Sequence, residues 1–344
     1  SDEGALVDGE SAEPVFKPDF NLDLLRSYPY VGRCLAFQRE ALLAHGAMDA
    51  RYGELAPHDL LWRLFEERGE GAIGHLSEMT VECRFPLAKW LALPEVLEYN
   101  LAVVQAHLQR SGIASDIERD DTLSLLNRIR YRHDTQPLVS IMIVIKDQLA
   151  PLQRCVESVL NTTAYGRYEL LIIDNGSEQS STRQWLAEMG QLDPTRLRVL
   201  SFQGDADHAA LYNAAAADAR GDYLLLFSPY SVVTHGNWLD EMLDQARRPE
   251  VGVVGPKLFG PDGRVVHAGM ILGLHGPAGL PFGGETLQAG GYMHRLQVVH
   301  DLSAVGVDCF MVRRSLFERL DGLDDAQFGC SLSPVDFCLR VRES

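Results

Sequence analysis

Two near-continuous apolar runs, residues 139–145 and 170–173, bracket a segment whose apolar positions recur at helical spacing. The first run reads Val-Ser-Ile-Met-Ile-Val-Ile. It is rich in β-branched residues and does not alternate, the pattern of a strand covered on both faces. Leu149, Leu152, Cys155, Val156, Val159 and Leu160 then recur at three and four, which predicts an amphipathic helix. The second run stops at Asp174-Asn175-Gly176, a turn signal. The pattern predicts a β-α-β unit with an acid at the carboxyl end of its second strand, where open parallel sheets bind ligands.

The alternation continues downstream. Strands are predicted at 197–202, 223–227, 251–254 and 302–313, and helices at 209–219, 238–246 and 335–342. A turn falls at Gly260-Pro261-Asp262-Gly263, and the glycine-rich stretch 273–291 reads as a mobile loop near a site. Strands alternating with helices give an α/β class with a mostly parallel sheet flanked by helices. Upstream the pattern is weaker. Residues 1–20 read as an acidic loop, 33–43 as a strand running into a short helix, and 58–67 and 89–110 as amphipathic helices, the second stopped by Gly112. Residues 113–136 are polar and read as a linker with one short strand. Their basic end, Arg128 to His133, either touches phosphate or forms a solvated face. The organisation expected is therefore 1–112, a linker 113–136, and 137–344.

At 344 residues, two domains are the prior. A net charge of -17 argues against sequence-independent nucleic-acid binding, which needs a basic surface. No apolar run reaches the roughly 18 residues of a membrane span. The start, Ser1-Asp2-Glu3, carries no secretory pattern. Cysteines at 34, 83, 155, 309, 330 and 338 form no Cys-x-x-Cys pair and mostly sit in apolar runs. They read as reduced core residues, in a reducing compartment.

A series of short motifs then resembles one family. Val139-Ser-Ile-Met-Ile, Ile172-Ile-Asp-Asn-Gly-Ser, Asn213 in an alanine-rich helix, Gly221-Asp-Tyr-Leu-Leu, Asn237-Trp-Leu and Val253-Val-Gly-Pro-Lys-Leu come first. Pro261-Asp-Gly, His267-Ala-Gly, Val312-Arg-Arg, Gly322-Leu-Asp-Asp and Val335-Asp-Phe-Cys-Leu-Arg follow. In order and spacing they resemble the nucleotide-sugar-binding domain of family 2 glycosyltransferases, the GT-A fold. Residues 1–110 resemble the second half of another such domain, through Ser1-Asp2-Glu3, Val15-Phe-Lys-Pro-Asp-Phe, Tyr30-Val-Gly, His58-Asp-Leu-Leu-Trp-Arg-Leu, His75-Leu-Ser-Glu and Arg84. The whole thus resembles a fragment of a longer, tandem-domain glycosyltransferase. The resemblance implies inverting sugar transfer from a nucleoside diphosphate sugar to a glycan, lipid-linked or protein acceptor in surface polysaccharide synthesis. It also implies a cytoplasmic place, peripheral to the inner membrane, and contacts with other domains of the same chain. The alternative is a catalytically degenerate GT-A module that binds nucleotide or glycan, or scaffolds an active domain.

The family's Mg²⁺ or Mn²⁺ is held by an acidic Asp-x-Asp-like motif, which here reads Ser228-Pro229-Tyr230. Neither Pro nor a neutral Tyr is a good ligand for these cations, so no metal residue is assigned. The family's base position is Pro334, and only Asp336 remains of that motif. In the first segment Asp2 and Glu3 stand as the remnant of the acidic motif, with Pro57 at the base position and Asp59 as the second acid. The resemblance gives Asp174, Asn175, Asp147 and Asn213 as nucleotide-binding, and Asp336 and His267 as catalytic. Bland readings stand beside these. Asp174 also suits a structural turn and Asp147 a cap on the helix that follows. His267 suits a satisfied core position, and Asp336 a residue that orients a neighbour. Asp308, expected inside a buried strand, needs a partner there.

Overall fold

The computed structural model describes residues 2–7, 10–202 and 206–344; the side chains of residues 5–7, 10–13 and Cys330 are outside that description. The chain forms two compact units, residues 1–132 with 290–301, and residues 133–289 with 302–344.

The first unit is α+β. Strands β1 (Asp2–Val7), β2 (Glu10–Val15) and, after three helices, β3 (Met79–Cys83) form a sheet in the order β2-β1-β3. Residues 1–20, expected as a loop, thus supply two strands; pairing of β1 with β3, distant in sequence, is not visible in local pattern. The helices are α1 (Leu22–Ser27), α2 (Arg39–Ala44), α3 (Ala56–Arg68), α4 (Leu87–Leu91) and α5 (Pro94–Arg110). The expected strand before α2 is absent, and the helix expected over 89–110 is divided before Pro94, which occupies the first turn of α5. Trp62 and Trp90 are buried in this core, stacked on His107 and His58.

The stretch expected as a linker with one strand folds as a hairpin of β4 (Ser115–Arg119) and β5 (Asn127–Tyr131). Its arginines pair with acids of the same hairpin: Arg128 with Asp120, Arg130 with Glu118 and Arg132 with Asp116. The basic cluster is therefore a solvated, charge-paired face.

Two buried histidines tie this unit's stability to pH. His58 Nε2 lies 2.8 Å from the Gly32 carbonyl, and His300 Nδ1 3.2 Å from that of Val298. Burial, the larger cause, outweighs these bonds and lowers both rings to about 4. Above the ordinary histidine range both folded and unfolded chains carry neutral rings. Between about 6.5 and 4 only the unfolded chain takes the protons. Stability is expected to fall with pH across that window, by up to about 1.4 kcal/mol per pH unit for each ring. Urea midpoints at pH 7 and pH 5 check this; a flat profile would contradict it.

The second unit is the α/β layer structure expected. Strands β6 (Val139–Ile145), β7 (Tyr168–Asp174), β8 (Leu197–Ser201) and β9 (Tyr223–Phe227) are mutually parallel. With β10 (Val253–Val254) and β15 (Cys309–Arg313), which is antiparallel to β9 and β10, they form a six-stranded sheet ordered β10-β15-β9-β6-β7-β8. Every residue of β6 and β7 is buried, as their unalternating patterns require. Helices α6 (Leu149–Thr162), α7 (Ser180–Leu192) and α9 (Trp238–Ala246) pack on one face. Helix α8 (His208–Asp218), α10 (Arg314–Arg319) and α11 (Gly329–Glu343) pack on the other. Short pairs β11 (Leu258–Phe259) with β12 (Val265–His267), and β13 (Ile271–Leu272) with β14 (Ala278–Gly279), lie between β10 and β15 in sequence. Of the second pair, β14 falls within the stretch 273–291 expected as a loop, and β13 lies just before it. The strand expected over 302–313 is confined to β15.

Gly221, in the motif before β9, shows why a small residue stands there. Its N–H donates to Ser140 Oγ at 2.9 Å, and that hydroxyl donates to the buried Glu169 at 2.6 Å. A Cβ at Gly221 would lie 2.5 Å from the Ser140 backbone nitrogen. Gly221→Ala is expected to cost about 1–3 kcal/mol by overpacking, read as a lowered urea midpoint; an unchanged midpoint would contradict the close approach.

Candidate functional site

The strand order places β7 and β8 on one side of β6 and β9 on the other. The order reverses between β6 and β9, and the carboxyl ends on either side of that point are where such sheets bind ligands. Residues 145–147, 174–177, 201–202 and 227–230 make up this edge. It is cross-tied by backbone bonds: Asn175 N donates to the Ile145 carbonyl and Phe202 N to that of Asp174, both at 2.9 Å.

Asp174 ends β7. Its Oδ1 accepts from Ser177 N at 2.9 Å and from Ser177 Oγ at 2.6 Å, so the turn reading is correct for that oxygen. Oδ2 accepts no hydrogen bond among the described residues. Asn175 is buried beside it. Its Nδ2 donates to the Ala206 carbonyl at 3.1 Å, while Oδ1 has no donor among the described residues. A buried acceptor left unpaired costs about 1–3 kcal/mol. Two acceptor oxygens on consecutive residues of the carboxyl edge thus have no donor among the described residues.

Asp147 follows β6 in a left-handed conformation, φ 61°. Its carboxylate accepts from the backbone N–H groups of Glu178 at 3.0 Å and Gln179 at 2.9 Å. These bonds, from Gln179 first and Glu178 second, hold the carboxyl below its usual range. The cap is real, but it serves the amino end of α7, not α6, the helix that follows Asp147. Its own N–H donates to Ser177 Oγ at 3.0 Å, so Asp147 positions the Asp174–Ser177 turn.

Asn213 and Asp336 are placed differently from expectation. Asn213 Nδ2 donates to the Leu323 carbonyl at 2.8 Å, and its Oδ1 accepts from Leu323 N at 2.9 Å. Gly322 adopts φ +70°, and a Cβ there would lie 2.3 Å from Asn213 Oδ1. Asp336 accepts from Arg340 Nε at 2.7 Å, and Arg340 in turn donates to the carbonyls of Leu320 and Gly322. The motifs at 213, 322 and 336 form one joint that holds the 320–323 turn between α8 and α11. Asp336 orients a neighbour.

At the end of β9, Ser228, Pro229 and Tyr230 form a turn in which Tyr230 N donates to Ser228 Oγ at 3.3 Å. Ser228 N donates to the Asp308 carbonyl at 2.9 Å. Asp308 is not inside a strand: it precedes β15 and is exposed. Its carboxylate accepts no hydrogen bond among the described residues, so the buried partner expected for it is unnecessary. Its charge reaches His267, whose proton affinity is lowered by burial and partly restored by Asp308. His267 Nδ1 faces Gly269 N at 3.1 Å and Nε2 faces Gly306 N at 3.2 Å. A neutral imidazole has one acceptor nitrogen, so only one of these amides is bonded. Each ring nitrogen of this buried histidine thus faces one backbone amide, in keeping with the core reading. Asp308 lies just outside the strand expected for it because antiparallel pairing, which sets Cys309 of β15 beside Phe227 at the end of β9, leaves no local pattern.

Asp2 and Asp59 of the first unit are also engaged. Asp2 accepts from Lys17 N and meets His75 Nε2, both at 2.9 Å. Burial raises this carboxyl, and the bonds from Lys17 and His75 more than offset it, leaving it lowered. Asp59 pairs with Arg63 at 2.9 Å and Arg110 at 3.0 Å. Thiols 155 and 338 are pushed up by burial to about 12 and about 11, as inert core cysteines are.

The family model described as "Glycosyl transferase family 2" matches residues 140–321, more than half of the chain. The chain belongs to glycosyl transferase family 2. An uncharacterized protein of Sinorhizobium fredii, y4gI, is 33% identical over 350 residues, covering 99% of this chain and 38% of that protein. The O-antigen biosynthesis protein RfbC of Myxococcus xanthus is 33% identical over 346 residues, covering 99% of this chain and 26% of that protein. The chain thus spans well under half the length of these relatives. Among solved structures, GalNAc-T7 with UDP, GalNAc and Mn²⁺ is similar at TM-score 0.49 and 17% identity, over 66% of this chain and 44% of that one. The Pyrobaculum calidifontis mannosyltransferase with GDP-Man and Mn²⁺ is similar at 0.43 and 13%, over 60% and 52%. At these scores the likenesses carry no argument about the site. No helix among the described residues is long and apolar enough to cross a membrane.

Proposed function

We propose that the second unit of this family 2 member holds the nucleoside of a nucleoside diphosphate sugar against Asp174 and Asn175, without the family's divalent metal. The chain would thereby take part in glycosyl transfer to a glycan or lipid-linked acceptor in surface polysaccharide synthesis, in keeping with the name of the Myxococcus xanthus relative. The observation that carries the reading is two acceptor oxygens on consecutive residues of the carboxyl edge that have no donor among the described residues, Asp174 Oδ2 and the buried Asn175 Oδ1. Ribose hydroxyls and base N–H groups are the donors that complement them.

The residues present do not fit a catalytic Mg²⁺ or Mn²⁺. These cations take several hard oxygen ligands. The end of β9 offers a serine already bonded within its turn, a proline and an exposed phenol, with the single carboxylate of Asp308 beside them. Among the described residues the sole cluster of three or more His, Cys, Asp or Glu ligands lies elsewhere. A cation at the nucleotide edge is Lys146, exposed directly after β6.

Saturation-transfer NMR with UDP- and GDP-sugars in EDTA tests the reading. Transfer to base and ribose protons is expected, and its absence from both donors would sink it. A second reading rests on Asp308, the exposed carboxylate whose backbone is bonded to Ser228. There it takes the proton of an acceptor hydroxyl as that oxygen bonds to the anomeric carbon and the diphosphate leaves. Turnover in EDTA that drops at least about 100-fold in Asp308→Asn supports this role, the scale of a general base. Nucleotide binding without turnover leaves the unit a donor-binding module.

A further inference from the structure

In the first unit, three potential ligands from distant parts of the sequence converge: Glu3 of β1, Cys83 of β3, and Cys34 of the loop after Tyr30. Their ligand atoms all lie within 4.8 Å of one another. Glu3 and Cys83 come together because β1 and β3 pair in parallel, with Glu3 opposite Val81 and Ala5 opposite Cys83.

The triangle has the dimensions of a coordination face. Cys34 Sγ and Cys83 Sγ are 3.8 Å apart, and Glu3 Oε2 lies 3.8 Å from the first and 3.5 Å from the second. For tetrahedral Zn²⁺, bond lengths of about 2.3 Å to sulfur and about 2.0 Å to oxygen set S···S edges near about 3.8 Å and S···O edges near about 3.5 Å.

The surroundings agree. Glu3 is 2% exposed, yet its Oε1 accepts no hydrogen bond among the described residues; Lys17 Nζ lies 3.3 Å from it as an ion pair, and Oε2 faces the two thiols. The Lys17 ammonium balances this one buried carboxylate, and deprotonation of both thiols beside it would leave an excess negative charge that calls for a further, divalent cation. Two thiolates, one carboxylate, Zn²⁺ and the Lys17 ammonium sum to no net charge. The softness of two thiolates selects zinc over the hard cations that carboxylates alone prefer.

We propose that Glu3, Cys34 and Cys83 form a Zn²⁺ site, with the fourth position open to water on the side of the half-buried Cys34. Such a site clips β1, β3 and the loop together, and so stabilises the pairing of two strands far apart in the sequence. It stands whether or not the Asp174 site binds nucleotide.

The test is a Co²⁺ titration of the whole chain, purified in reductant and freed of metal, followed by displacement with Zn²⁺. One Co²⁺ per chain is expected, with thiolate charge-transfer absorption, tetrahedral ligand-field bands and loss of both on adding Zn²⁺. Cys34→Ser and Cys83→Ser are each expected to weaken binding more than about 100-fold, beyond the loss typical of a supporting residue. Cys330→Ser is expected to leave it unchanged. Zn²⁺ should raise the melting temperature of the wild type and not of Cys34→Ser. Folded wild type without thiolate charge transfer would overturn the proposal, and needs no variant to fold. So would a signal that survives the double serine variant, or a Cys34–Cys83 disulfide in metal-free protein purified in reductant.

Discussion

Asp174→Asn is expected to weaken nucleoside diphosphate binding by about 10- to 100-fold while leaving the fold intact. The asparagine keeps one side-chain oxygen, which Ser177 N and Ser177 Oγ hold as they hold Asp174 Oδ1. Its amide then replaces Oδ2, turning the open acceptor into a donor and removing the charge. A hydrogen bond to a charged group contributes about 1.5–3 kcal/mol, and each 1.4 kcal/mol is about tenfold in affinity. Asp174→Ala removes both functions, so it should lose affinity and some stability together. Isothermal titration alongside thermal melts separates the two. Full affinity in Asp174→Asn would reduce Asp174 to a turn residue.

Phe337→Ala should produce the largest loss of stability, about 3–5 kcal/mol. Phe337 is fully buried on α11, with Phe317 at 5.3 Å and Phe310 of β15 at 5.8 Å between ring centroids. The guanidinium of Arg340 lies 5.4 Å from its ring centre. Removing the ring opens a cavity between sheet and helix and loosens the joint that Asp336 and Arg340 make with the 320–323 turn. Urea unfolding checks the size; a loss under about 1 kcal/mol would mean that the core collapses to fill the space.

What the sequence revealed follows from where each signal is written. The strands β6, β7 and β9 and helices α6, α8 and α9 are local, strongly patterned elements, and the structure has them nearly as the pattern predicts. The acid at the end of β7 was legible for the same reason. The strands β1 to β3 were not, because β3 lies tens of residues from its partner β1 and the residues of these strands alternate poorly. Motif matching found Asn213, Gly322 and Asp336, but a motif does not say whether a side chain faces a ligand or a neighbour; here all three serve one joint. Asp147 was ambiguous for a like reason: the helix it caps is not the one that follows it in the sequence. Asp308 and the Glu3–Cys34–Cys83 cluster depend on strand pairing and loop placement. Cysteine spacing of 49 and 80 residues from their partners carries no recognisable signature.

The most direct measurement of the central claim is calorimetric titration of the chain with UDP and GDP, in EDTA and again in Mn²⁺. The expected result is saturable binding of at least one nucleotide with the same Kd in both conditions. That outcome follows if Asp174 and Asn175 hold the nucleoside and the Ser228-Pro229-Tyr230 turn offers no metal site. Binding that appears or tightens at least tenfold only with Mn²⁺, or no binding of either nucleotide, would contradict it.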